Sequence, residues 1–387
     1  MTPPIPHHRP IPRHYGLDWL RVAAFAILIV YHVGMVFVPW GFHAKSAHGA
    51  DWVVLPMLAV NAWRLSLLFV VSGYASRALL TRASSPGGFL RQRTLRLLVP
   101  LAFGVAVIVP PQSWVELVTQ HGYRAGFATF WIHDYFRFGK LAGIGLPALN
   151  HLWFVAYLWL YTVVLAAGVA LVRTQAPQRA FDRLFAGPLL VVIPTAWLVC
   201  IHGWWFPMGY ETHDPLHDLM AHLSYLPAFL FGFALAGSAP VLAACVRWRW
   251  TGLAMALLGY GFILAVELVG GDAPRWLYPT YGAAHALQQW GATLALIGMA
   301  ERHWNRDAPA RRTLTEAVFP FYLVHQTIIV LVAYWLIPAR LAGGAEFAVL
   351  IAATIAGCWA FYAIGRRIAI LRPLIGLRSL SSQKVAS

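Results

Sequence analysis

The sequence predicts an all-α, polytopic membrane protein of about ten transmembrane helices. Three observations carry that reading. The 387-residue chain is 59% hydrophobic and only 11% charged. Its apolar residues gather in runs near the length of about 20 residues that crosses a hydrocarbon core. Its basic residues alternate with those runs, as the positive-inside rule expects of a multi-pass protein. The formal charge of +15 therefore needs no nucleic acid partner, because the cations are spread among the loops instead of gathered in one patch.

Residues 1–16, rich in Pro, His and Arg, read as a disordered cytoplasmic tail. The first apolar run, 17 to 40, is too long for a signal-peptide core and lacks a cleavage site close behind it, so it stays as a helix. The second, 52 to 79, leaves the membrane through Arg77 and Arg82. Arg91, Arg93 and Arg96 open the third, 97 to 115. The fourth and fifth, 149 to 172 and 186 to 206, flank a short loop with Arg173, Arg179 and Arg183. The sixth and seventh, 218 to 237 and 251 to 270, flank Arg247 and Arg249. The eighth and ninth, 281 to 300 and 314 to 337, flank Arg302, Arg306, Arg311 and Arg312, and the tenth, 346 to 365, ends at Arg366 and Arg367. Residues 17–370 are thus one ten-helix domain, followed by a cytoplasmic tail, 371–387. The longest loop, near 116 to 148, is aromatic and charged and resembles an interfacial helix or a re-entrant stretch roofing an outward-facing site.

With both termini inside, 22 of the 29 basic residues fall on the inner side, leaving Lys45, Arg64, Arg124, Arg137, Lys140, Arg275 and Arg340. Histidines run the opposite way, with His43, His48, His121, His133, His202, His213 and His217 in or beside outward segments. The three cysteines are scattered, with neither metal spacing nor a disulfide framework, so no metal is expected.

Ionisable groups at membrane depth are costly and mark functional sites. Arg21 and His32 are eleven residues apart in the first helix, a turn of about 1100° and a rise of about 16 Å, so both face one way with Arg21 at one membrane face and His32 near mid-depth. Arg64 sits about 20 Å above Arg77 in the second helix, at a height comparable to that of His32. Ser72-Gly73 offers a hydroxyl and a close backbone approach, which helix packing explains equally well. Arg93 and Arg96 stand one turn apart on one face, a pair that either grips phosphate or simply anchors the inner edge. Asn150 and His151 stand at the outer entrance of the fourth helix, and His325 lies within the ninth. Each histidine alone reads as well as a satisfied interhelical hydrogen bonder; together with His32 and Arg64 they favour a site.

These residues carry a family resemblance. Leu17-Asp18-Trp19-Leu20-Arg21 through Tyr31-His32 resembles the Arg-x10-His first helix of the acyltransferase family 3 membrane proteins, and Arg93-x-x-Arg96 before Pro100 resembles their third-helix motif. His43-Ala-Lys-Ser46, Arg64 with Phe69 to Tyr74, Asn150-His151-Leu-Trp-Phe154, Tyr225-Leu-Pro227 and Tyr322-Leu-Val-His325 resemble most the glucans biosynthesis protein C group, the periplasmic glucan succinyltransferases. The resemblance implies a bacterial inner-membrane O-acyltransferase. It would take acyl-CoA, as succinyl-CoA or acetyl-CoA, from the cytoplasm and acylate a periplasmic glucan or other saccharide. In that scheme Arg21, Arg93 and Arg96 hold CoA, His32 is the general base, and Arg64 and His325 assist it. Asn150, His151 and Ser72 bind the acceptor. A transporter of an acylated saccharide, or a non-catalytic membrane partner of glucan assembly, is the alternative. Beyond membrane lipid and these substrates the sequence names no partner, and it leaves open whether the protein forms a homo-oligomer.

Overall fold

A computed structural model describes residues 14–172, 174–270 and 274–378. Among them the chain is helical almost throughout. Seven helical stretches are long and apolar enough to cross a membrane: Tyr15–Gly34, Asp51–Leu80, Pro86–Gln120, Asn150–Leu171, Ala239–Val269, Pro309–Ala339 and Gly343–Arg367. Ala176–Phe185 and Leu189–Trp205, bent by 96°, make an eighth if taken as one span. This is a multi-pass membrane protein. The other two predicted runs are helical as well, but Leu219–Leu235 has only 17 residues, and Tyr278–His303 carries His285, Gln288 and Gln289 among its apolar residues.

Helix α1 (Tyr15–Gly34) is followed by α2 (Val54–Asn61) and α3 (Arg64–Leu80), then by α4 (Pro86–Phe103) and α5 (Pro110–Gln120). Beyond α5 come the single turn α6 (Phe127–Thr129), a π turn over Phe130–Asp134 and an antiparallel hairpin of β1 (Gly139–Leu141) and β2 (Ile144–Leu146). The rest is α7 (Trp153–Leu171), α8 (Ala176–Phe185), α9 (Leu189–Val199), α10 (Leu219–Leu235), α11 (Ala239–Val269), α12 (Tyr278–His303), α13 (Pro309–Leu336), α14 (Gly343–Arg367) and α15 (Leu371–Leu374). The loop expected to be an interfacial helix or a re-entrant stretch is therefore one helical turn, a π turn and a hairpin. Most of the expected N-terminal tail, 1–13, lies outside the described residues, and Tyr15 and Gly16 are already helical; in the expected C-terminal tail, 371–374 form α15 and 379–387 lie outside.

Three local features position the site. The first is the end of α1 at Gly34, six residues before the predicted limit at Trp40. Lys45 donates to the carbonyls of Met35, Val38 and Trp40. Pro39 has no amide to give the Met35 carbonyl and cannot continue the helix; an ammonium group with three donors satisfies that carbonyl and two beyond it, and residues 35–40 curl around it. Burial pushes the Lys45 ammonium below the ordinary lysine value. His32 consequently lies in the last turn of α1.

The second feature is the break between α4 and α5. In the π turn Gly104–Ile108 the Gly104 carbonyl accepts from Val109 N at 2.9 Å, five residues on. The same register would give Val105 and Ala106 the amides of residues 110 and 111, but both are proline and have no N–H. Tyr135 Oη and Trp131 Nε1, from the outer loop, donate to those carbonyls instead, each at 2.8 Å.

The third is close helix packing. A Cβ on Gly73 of α3 would meet the Phe229 carbonyl oxygen of α10 at 1.8 Å, and one on Gly232 would meet the Val70 oxygen at 1.9 Å. The two backbones touch through these glycines, as small residues permit between membrane helices. This fixes α3, and with it Arg64, against α10.

Candidate active site

A cavity of about 980 Å³ opens at the end of the bundle where α1 stops. Its walls include His32 and Tyr31 from α1, Arg64 from α3, Asn150 and His151 from the turn before α7, and Tyr322 and Gln326 from α13. Its rim is made by His43, Glu116, the hairpin residues Gly139 and Gly145, and the loop Thr212–Pro215.

His32 and His325 meet although 293 positions separate them. His325 Nε2 lies 3.2 Å from His32 Nδ1. Carbonyls only accept hydrogen bonds, which assigns the protons. His32 Nδ1 lies 2.9 Å from the Leu28 carbonyl oxygen and His325 Nδ1 lies 2.7 Å from that of Tyr322, so both Nδ1 atoms carry hydrogen. His32 Nδ1–H is then shared between Leu28 O and the bare Nε2 of His325. That leaves the Nε2 lone pair of His32 as the basic atom, in a side chain that lines the cavity. The far end of the same helix pair is clamped as well: Arg311 Nη1 donates to Asp18 Oδ2 at 2.5 Å, and its Nε donates to Asp307 Oδ1 at 2.8 Å. Asp18 to His32 and Arg311 to His325 are both steps of fourteen residues, about four turns and 21 Å of helix. The clamp therefore sets the register that brings the two imidazoles together.

Beside this pair, Arg64 starts α3 just after the break at Asn61–Trp63. Its Nη1 donates to the Asn61 carbonyl at 2.9 Å and to Asn61 Oδ1, and its guanidinium lies 3.7 Å from the Tyr31 ring centroid. Its Nε is buried with no hydrogen-bond partner, and no carboxylate among the described residues pairs with it within 4 Å. A cation held by a π face, at a helix N-terminus where the macrodipole adds positive potential, is suited to an arriving anion.

His151 Nε2 donates to the Leu323 carbonyl at 3.2 Å, and Gln112 Nε2 lies 3.5 Å from its Nδ1. Its ring lies 5.1 Å from that of His325, and Tyr322 Oη donates to its backbone oxygen. On the rim, His43 Nδ1 pairs with Glu116 Oε2.

Arg21, Arg93 and Arg96 lie apart from this cavity, toward the end where α1 begins. Their charges are close enough to act on one another. No carboxylate among the described residues pairs with any of the three within 4 Å, and Arg93 is buried with Nε and Nη2 unpartnered. Among the described residues no group of three or more His, Cys, Asp or Glu side chains is placed to hold a metal ion.

A family model described as an acyltransferase domain, that of acyltransferase family 3, matches residues 14–363. The chain belongs to this acyltransferase family. Among its relatives are the proteins named glucans biosynthesis protein C of Escherichia coli K12 / DH10B, of strain ED1a (O81) and of strain SMS-3-5. Each is 22% identical over 338 residues, covering 85% of this chain and 85% of the relative. No solved structure matches the chain.

Within this family 3 acyltransferase the structure gathers His32, Arg64, Asn150 and His151 on one cavity with His325 behind His32, and gathers Arg21, Arg93 and Arg96 elsewhere. Ser72 is not on the cavity; it lies beside the Gly73 helix contact and its carbonyl accepts from Ser76 Oγ. Its surroundings are those of a helix contact. Both ring nitrogens of His151 face protein partners, so it is less open to a substrate than its place at the entrance suggests. Sequence reasoning did not single out Gln112, Thr327, Glu116 or the Asp18–Arg311 clamp, and it named Tyr322 only within the Tyr322-Leu-Val-His325 motif. A buried glutamine directly after Pro110-Pro111 in an apolar run was the available signal for Gln112.

Proposed function

We propose that this family 3 acyltransferase is a bacterial inner-membrane O-acyltransferase that moves a succinyl or acetyl group from cytoplasmic acyl-CoA to a hydroxyl of a periplasmic glucan or related saccharide. The observation that carries the reading is the His32–His325 pair with a bare His32 Nε2 on a cavity that also holds Arg64, which no carboxylate among the described residues pairs with.

Ten helices would cross the membrane with both termini inside, so that the arginine cluster lies at the cytoplasmic end and the cavity at the periplasmic end. Arg21, Arg93 and Arg96 would bind CoA phosphates, since guanidinium forks match phosphate oxygens and tolerate desolvation. The pantetheine arm would carry the thioester along α1 over the about 16 Å that separate Arg21 from His32. The acceptor hydroxyl would enter past His43 and Glu116, whose free nitrogen and oxygen can accept hydrogen bonds from sugar hydroxyls.

The acceptor oxygen attacks the thioester carbon while its proton passes to His32 Nε2, general base work suited to an imidazole. His32 is then an imidazolium whose Nδ1–H stays on Leu28 O and His325 Nε2. Arg64 faces either the tetrahedral oxyanion or the free carboxylate of a succinyl group. The C–S bond breaks, the proton on Nε2 returns to the leaving thiolate, and an ester and free CoA result.

The test is transfer of labelled acyl groups from succinyl-CoA and acetyl-CoA to glucan oligosaccharides by the purified protein in lipid. Labelled ester that disappears in His32→Ala supports the reading. Turnover by His32→Ala near that of the parent overturns the base, and absence of donor binding overturns the enzyme reading itself.

A further inference from the structure

The hydrogen bonds behind the cavity form a closed set. Thr327 Oγ1 donates to the Ile108 carbonyl at 2.7 Å, so the same oxygen can only accept from Gln112 Nε2, also at 2.7 Å. That orients the Gln112 amide. Its Oε1 accepts from Asn150 Nδ2 and from Gln326 Nε2, each at 3.0 Å. Turning the amide over would aim both of those donors at an NH₂ group. The remaining Gln112 hydrogen points at His151 Nδ1, 3.5 Å away, which must be bare, and the His151 proton sits on Nε2 against Leu323 O. Gln112 itself is fully buried.

We propose that Gln112 is a positioning residue that holds His151 in its neutral, Nε2-protonated form and so leaves the proton of transfer to His32 and not to His151. The inference rests on the reading of His32 as the base. A second proton on His151 would have to sit on Nδ1, head to head with the Gln112 amide donor. Gln112 cannot turn to accept it, because Thr327, Asn150 and Gln326 hold both ends of its amide, and an unmatched buried donor is costly.

The restriction matters because the imidazoles are crowded. From α13, His325 and Tyr322 face His151 with ring centroids at 5.1 and 5.5 Å. From α1, His32 lies 5.0 Å beyond His325. His43, paired with Glu116, and Arg64 share the cavity with them. A proton parked on His151 would repel the one His32 must take up during transfer. Gln112 refuses it that site.

The test reads histidine ring nitrogens by NMR in full-length ¹⁵N-histidine-labelled protein in lipid nanodiscs between pH 5.5 and 8, with His151 assigned through His151→Asn. The expected result is a protonated Nε2 and a bare Nδ1 at His151 across the range. In Gln112→Met, which keeps the volume and loses the amide, His151 changes tautomer or titrates. Transfer kcat then falls by about tenfold to a hundredfold, the scale of misplaced catalytic groups, with the donor KM within about twofold. In Gln112→Glu, which offers Nδ1–H an acceptor, His151 becomes doubly protonated. A parent protein whose His151 carries hydrogen on Nδ1, or titrates in this range, overturns the proposal, as do unchanged His151 signals in Gln112→Met. Failure of His32 as the base would appear separately, as activity in His32→Ala, and would leave the His151 signals as they are.

Discussion

Replacing His325 by Phe removes the Nε2 acceptor 3.2 Å from His32 Nδ1 while keeping an aromatic ring against His151. Because Leu28 O also holds that N–H, the tautomer of His32 survives the change. What is lost is the second acceptor for the imidazolium that the proposed transfer forms at His32. A hydrogen bond to a charged group contributes about 1.5–3 kcal/mol, which at 1.36 kcal/mol per factor of ten is a loss of about 10- to 150-fold in kcat. His325→Gln, whose side-chain oxygen can accept the same N–H, should recover part of it. Single-turnover transfer of labelled acyl groups in proteoliposomes measures this step without product release. A His325→Phe enzyme as fast as the parent would refute the partnership, and one as slow as His32→Ala would show that His325 itself takes the proton.

Arg93→Gln removes a buried cation that no carboxylate among the described residues pairs with within 4 Å, so it should leave thermal stability unchanged or raised while increasing the acyl-CoA KM about tenfold; a lowered Tm with an unaltered KM would make Arg93 a structural anchor. Arg311→Gln breaks the α1–α13 clamp and should cost about 1–3 kcal/mol in denaturant unfolding, less than a fully buried pair because both carboxylates are partly exposed, and kcat should fall through the shared register. On the rim, the Leu216 amide and the His217 ring hold the Asp214 carboxyl below the ordinary carboxylate range. Its contribution is therefore present above the unfolded value of about 3.9 and lost as pH falls through the depressed one. Pepsin cleavage within 206–218, measured against a cleavage site elsewhere, should rise as pH drops through that window, and Asp214→Asn should be cut readily throughout.

The helical segments were legible because an apolar run of membrane length has few other uses. All ten predicted runs fall on helices, although α10 is short and α12 is diluted by His285, Gln288 and Gln289. The end of α1 was half legible: Pro39 lies inside the predicted run and gives the Met35 carbonyl no amide, but the Lys45 ammonium that takes up the freed carbonyls folds back from ten residues away. His32, Arg64, His151 and His325 stood out individually as costly groups, yet nothing local says that positions 32 and 325 touch. That contact depends on two helices sharing a register set at Asp18 and Arg311. Gln112 stayed invisible for a related reason: its four partners come in two adjacent pairs, 150–151 and 326–327, far from it along the chain, and its meaning lies in the direction of its amide. Ser72 was ambiguous because a hydroxyl beside a glycine has the same pattern in a binding site and in a tight helix contact.

The carbonyls freed by Pro110 and Pro111 have a consequence for grafting. Trp131 and Tyr135 stand in for two missing amides, so the outer loop is spliced into the frame two turns from Gln112. A chimera that exchanges acceptor-facing loops between relatives should carry residues 104–146 as one cassette. A junction at 120 would import a new roof and strip the old beams of their fastenings, whereas a junction ahead of Gly104 moves roof and beam together.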